Sequence, residues 1–214
     1  MEATGTRWET ARVEAFSDGV IAIAITLLVL EIGVDPGALA EPWRALADQW
    51  PSYLAYVTSF LTVGSVWLAH HSLFSRLREV DATLMRLNIA LLMLVSFLPF
   101  PTQLVADALT ESESAERAAV VVYGAVALSI ELVLATMARH VASQPGLAGD
   151  GEEARAPGAR KRGFLSVVVY PLAIVLGLLA FPDLAAFAYL AVAIRAVVSA
   201  QGEGRIALAR IPTD

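Results

Sequence analysis

The 214-residue chain is 57% hydrophobic and only 17% charged, with a mean hydropathy of +0.64 and a formal net charge of −6. A soluble globule carries about a quarter charged residues; here the apolar excess lies in long runs, which mark an integral membrane protein rather than a soluble enzyme. There is no cysteine, which excludes disulfides, thiolate metal sites and cysteine nucleophiles.

A membrane crossing needs about 20 apolar residues at a rise of about 1.5 Å each. Six segments reach that length, at about 13–32, 51–71, 84–106, 117–138, 164–181 and 184–201. The expected fold class is an all-α integral membrane protein, a single six-helix transmembrane domain over residues 1–214. The first run follows a mixed-charge segment (Arg7, Glu9, Arg12, Glu14) and ends in Glu31-Ile-Gly. That is no cleavage site, so the leading helix is expected to remain in the mature protein.

Trp43, Trp50, Tyr53 and Tyr56 gather at the start of the second span like an aromatic belt. Pro99 and Pro101 should bend or end the third helix, and Pro171 should kink the fifth. Residues 142–163 read as a flexible, charged, Gly/Ala/Pro-rich cytoplasmic linker, whose Arg160-Lys161-Arg162 end suits a membrane surface. Phe181-Pro182-Asp183-Leu184 is a tight turn, making an antiparallel hairpin of the last two helices. No internal repeat is visible, so the inverted-repeat signature of many transporters is missing.

With the N-terminus inside, twelve Lys and Arg residues fall on cytoplasmic segments against two, Arg44 and Arg117, on external loops. That bias predicts both termini in the cytoplasm. Arginine outnumbers lysine fourteen to one amid abundant alanine, a composition pointing to a GC-rich bacterial genome. No nucleic-acid partner is expected.

The first helix holds the most informative residues. Asp18 lies inside it, where a lipid-facing carboxylate costs about 2.5–3.5 kcal/mol. Ile23, Thr26, Leu27 and Leu30 then recur at i, i+3, i+4 and i+7, one stripe on one face. A lipid-facing or bundle-packed helix would carry such a stripe, but Thr26 places a hydroxyl inside it and Glu31 ends it. A ring of carboxylates at a pore mouth would concentrate cations.

A polar cluster lies at matched depth near the cytoplasmic ends of three helices: Arg12, Phe16, Ser17 and Asp18 on the first, Trp67, His70 and His71 on the second, Asn88 on the third. Interface snorkelling suits some of these residues, whereas Asp18 and His70 on apolar helices favour a hydrogen-bonded network pinning the three helices. Such a network could also sense pH or pass protons. A metal at His70-His71 is disfavoured, because adjacent helical residues point about 100° apart and no third ligand is evident.

Glu131 and Arg195 lie at similar depth within the fourth and sixth helices. An intramembrane ion pair is the expected arrangement, with a second ion site or snorkelling as the alternatives. No Walker loop, GxSxG, HExxH or dinucleotide fingerprint occurs, and no TVGYG-like filter.

Arg12-x-x-x-Phe16-Ser17-Asp18, with the apolar run to Glu31 that follows, resembles the signature of the transmembrane protein 175 family of potassium channels. Trp67-Leu-Ala-His70-His71-Ser-Leu-Phe74 resembles that family's second-helix ending; Asn88 and Leu98-Pro99-Phe100-Pro101-Thr102 resemble its third helix. The resemblance covers about 12–105 by motif. It implies a six-helix subunit in a homotetramer, with monovalent cations, potassium among them, passing along four copies of the first helix. Ile23 would form the main constriction, Thr26 a hydroxyl layer, and Leu27 and Leu30 further apolar rings. No cofactor beyond the permeant potassium is implied. The rival reading is a proton-conducting or proton-coupled transporter using Asp18, His70 and Glu131.

Overall fold

The computed structural model describes residues 7–33, 40–109, 111–147, 170–172, 174–175 and 182–208. The architecture is mostly helical. Helix α1 spans Thr10–Leu27 and tightens into a 3-10 turn over Leu28–Glu31; α2 (Pro42–Asp48) is short, and α3 (Trp50–Phe74) is long and apolar. Then come α4 (Ala82–Phe97), α5 (Pro99–Ala108), α6 (Glu113–Ser143) with a 3-10 turn over Pro145–Leu147, and α7 (Pro182–Leu208). Among the described residues, four stretches are long and apolar enough to cross a membrane: Thr10–Glu31, Trp50–Phe74, Ala82–Ala108 and Glu113–Ser143. A shorter apolar stretch, Ala185–Ser199, lies in α7.

Local chemistry sets the boundaries. Asp81 caps α4 by accepting from the Leu84 backbone N–H at 2.7 Å, and Ser112 caps α6 by accepting from Ala115 at 3.3 Å. Glu113 and Glu116 follow in the first turn of α6, where carboxylates suit the helix dipole. Pro99 and Pro101 have no N–H to give the Val95 and Phe97 carbonyls, so the third span divides at Leu98, whose own N–H bonds Val95 O at 3.2 Å.

Two expectations need correction. The chain is not purely helical: β1 (Trp8–Glu9) pairs antiparallel with β2 (Glu79–Val80), Trp8 opposite Val80 and Glu9 opposite Glu79, and Arg7 bonds Glu79. A two-residue ribbon is too short for any periodicity to announce it. Nor does the linker begin at 142, because α6 runs to Ser143 and the Pro145–Leu147 turn docks through Arg78 N–H to Leu147 O at 3.0 Å. The linker from 148 to 163 and most of the expected fifth helix, 164–181, lie outside the described residues.

In the core, α1 packs on α3 and α4, α3 on α5 and α7, and α6 on α4 and α5. Gly124 gives α6 a notch for α7. Tyr189 donates to Val120 O there at 3.1 Å, and any Cβ at 124 would strike the Tyr189 hydroxyl and Ile174.

Candidate functional site

The site is built on α1 because only one of its faces is used inside the subunit. Thr10, Val13, Ser17, Ile21 and Ala24 are buried, and Leu28 continues the stripe at 0% exposure. Steps of three or four residues keep these side chains on one face. The opposite face is open: Phe16 is 65% exposed, Ile23 61%, Leu27 41% and Leu30 73%. Thr26 is also exposed and donates to Ile23 O at 2.8 Å, so its oxygen remains free to accept. Glu31 ends the 3-10 turn half-buried.

Two polar layers hold α1 in this rotation. In the buried layer, Asn88 Nδ2 of α4 donates to Ser17 Oγ at 2.9 Å, and Ser17 donates on to Val13 O at 2.9 Å. Asn88 Oδ1 lies 3.0 Å from His70 Nε2 of α3. An amide oxygen only accepts, so His70 Nε2 carries a proton and donates it to Asn88 Oδ1. His70 stacks on Phe74 at 4.1 Å, with its Nδ1 buried and unpartnered.

In the more exposed layer, Trp67 Nε1 donates to Asp18 Oδ1 at 2.9 Å, and His71 Nδ1 lies 2.7 Å from Glu14 Oε1. Trp67 and His71 stack at 5.7 Å. Glu14 and Asp18 are four residues apart on α1, as Trp67 and His71 are on antiparallel α3, so the two pairs meet at matched heights. Glu14 was not among the expected network residues; its i, i+4 spacing to Asp18, mirrored by Trp67 and His71, is the signal that would have found it.

The structure brings Ser17, Asp18, Trp67, His70, His71 and Asn88 together and leaves two residues out. Phe16 belongs to the open face, seven residues before Ile23. Arg12 is exposed and makes no hydrogen bond or ion pair among the described residues. Glu131 and Arg195 do not pair either: Arg195 is exposed on α7, whereas Glu131 is half-buried on α6 within Coulombic reach of Tyr170. Equal depth sets a height along two helices but not the azimuth of each side chain. Glu131 is likewise not hydrogen-bonded to Asp18 or His70, so these three residues form no continuous relay among the described residues. No cluster of three His, Asp or Glu suited to a metal ion occurs among the described residues.

Beside the clamp, His140 Nε2 of α6 lies 2.8 Å from Asp81 Oδ2 at the head of α4. Partial burial raises the Asp81 carboxyl, but the Leu84 N–H and His140 bonds outweigh it and hold the group below its ordinary value.

A bundle of apolar, membrane-length helices, with one helix clamped by polar bonds and open on its far face, defines a multi-pass membrane protein with the features of an ion channel. The family model described as "Endosomal/lysosomal potassium channel TMEM175" matches residues 12–99, the segment that carries both clamp layers and the open face. The chain is 43% identical over 179 residues to a potassium channel of Streptomyces collinus, covering 81% of this chain and 85% of that one. It superposes with a TM-score of 0.78 and 36% identity on the crystal structure of a lysosomal potassium-selective channel TMEM175 homolog from Chamaesiphon minutus, covering 89% of this chain and 97% of that one. It is also similar to the endosomal/lysosomal proton channel TMEM175 of Mus musculus, 46% identical over 101 residues, but those span 43% of this chain and only 20% of the mouse protein. The chain belongs to the TMEM175 family, a family of ion channels and not of enzymes.

Proposed function

We propose that the chain is a potassium-permeable cation channel of a bacterial plasma membrane, a homotetramer whose ion path runs along four copies of α1. Each subunit is a single domain with six membrane helices and cytoplasmic termini. Ile23 is the main constriction, Thr26 a hydroxyl layer, Leu27 and Leu30 further apolar rings, and Glu31 the mouth. No resident cofactor takes part; potassium is the permeant ion.

One observation carries this reading: polar bonds on one side of α1 hold Phe16, Ile23, Thr26, Leu27 and Leu30 facing out of the subunit. A single helix encloses nothing, so a path along it needs a closed ring of copies. An apolar ring blocks ions by dewetting and opens when it widens or becomes polar. Potassium flux into proteoliposomes tests the reading. The wild type is expected to conduct and Ile23→Ser to leak more; unchanged flux in Ile23→Ser would remove Ile23 as the constriction.

A second reading, proton conduction, is favoured by the name of the mouse relative and by the exposed Glu14–His71 and Asp18–Trp67 pairs beside the same helix. A current that follows the proton gradient and ignores potassium would select it.

A further inference from the structure

The third membrane stretch is broken at Pro99 and Pro101, and the break sits beside a knot of buried hydroxyls. Ser59 Oγ of α3 and Thr102 Oγ1 of α5 lie 2.7 Å apart. Ser59 Oγ is also 3.2 Å from the Tyr123 hydroxyl of α6, which is 3.4 Å from Thr62 Oγ1. Thr102 Oγ1 is 2.8 Å from Leu98 O, the carbonyl at the break itself. Ser59, Thr62, Thr102 and Tyr123 are all buried.

None of these groups belongs to the clamp on α1. A helix with two missing N–H donors has no continuous ladder to set the angle between its halves. Side-chain hydrogen bonds between neighbouring helices, which act in a bilayer beside van der Waals packing, can supply that direction. Here α3 reaches α5 directly through Ser59, within one turn of the break, and α6 reaches it at one remove, through the Tyr123 bond to Ser59. In turn α5 packs against the Leu28–Glu31 turn at the end of α1, with Asp107 and Glu31 within Coulombic reach of each other.

We propose that Ser59, Thr102 and Tyr123 are positioning residues for ion selection: they set the angle of α5, and α5 sets the 3-10 turn that presents Leu30 and Glu31. The assignment rests on the channel reading above. Leu30 is 73% exposed on that turn, so a small tilt of α5 shifts the ring that four copies of Leu30 would form.

The test uses the full chain in proteoliposomes, comparing wild type with Thr102→Val, Thr102→Ser and Tyr123→Phe. The readouts are the potassium-to-sodium permeability ratio and, separately, melting in detergent. Valine keeps the shape of threonine and removes the hydroxyl; serine keeps the hydroxyl. Thr102→Val and Tyr123→Phe are expected to shift the permeability ratio by about threefold, the factor matching a typical hydrogen bond between membrane helices, while Thr102→Ser stays near wild type. A lowered melting temperature with an unchanged ratio would make the knot merely structural and overturn the proposal. So would a Thr102→Ser channel as altered as Thr102→Val. If the wild type conducts no cation at all, the channel reading itself falls, and this assignment with it; that failure shows in the wild type, not only in the variants.

Discussion

Asn88 donates to Ser17 at 2.9 Å across 71 positions of sequence, with both side chains buried. Through this bond and the one to His70, a single amide ties α4 to both α1 and α3. Asn88→Ala would leave the His70 Nε2–H and the Ser17 hydroxyl short of partners. The expected loss is about 2 kcal/mol of stability, one to two unsatisfied buried polar groups. Denaturant unfolding in detergent measures it, and an unchanged midpoint would mean that the buried layer does not hold α1.

The exposed layer should matter less for stability. Glu14 and His71 form a partly solvated pair, and such pairs are worth under about 1 kcal/mol. A double-mutant cycle with Glu14→Gln and His71→Phe is expected to give a coupling below that value. A larger coupling would indicate that the pair is shielded from water in the assembled protein.

Acid should release the α4–α6 contact. The Asp81 carboxyl is held below its ordinary value, so the stability it contributes is complete above the unfolded value of about 4 and lost as pH falls through the folded value. Asp81→Asn is therefore expected to be less stable than wild type at neutral pH, with the gap beginning to close as the pH falls below about 4. The difference is small, under about 1 kcal/mol, because the pair is partly exposed. A difference that does not shrink as the pH falls below about 4 would place the contribution in shape rather than charge.

The α6 notch is a sharper test of packing. Gly124→Ala sets a methyl against the Tyr189 hydroxyl and Ile174. Overpacking of this kind costs about 1–3 kcal/mol, and Tyr189 would also lose its bond to Val120 O. A variant that melts with the wild type would show that α7 can withdraw from α6 at no cost.

Much of α1 was legible because its chemistry is written in types. Ser17 and Asp18 ahead of a long apolar run read as a polar head needing partners; Asn88 bonds Ser17 and Trp67 bonds Asp18, with His70 behind Asn88. The rotation of the helix was not written that way. Ile21, Ala24 and Leu28 face inward while Ile23, Leu27 and Leu30 face out, and no difference in hydrophobicity separates the two sets; only the bonds to α3 and α4 do. The paired prolines announced the break at Leu98, yet the hydroxyl that bonds Thr102 beside it comes from Ser59, itself bonded to Tyr123, positions far apart in sequence. Glu131 and Arg195 show the converse: the pairing expected from depth does not appear among the described residues, where Glu131 is half-buried and Arg195 exposed.

The central claim is that the open face of α1 is the ion path, and the cysteine-free chain suits a direct measurement. Single cysteines at Ile23, Thr26, Leu27 and Leu30, and separately at Ile21, Ala24 and Leu28, can be exposed to a charged thiol reagent during potassium flux in proteoliposomes. The account predicts block at the first four positions and none at the last three. Block at Ile21, Ala24 or Leu28 with free flux through modified Ile23 and Leu30 positions would contradict it.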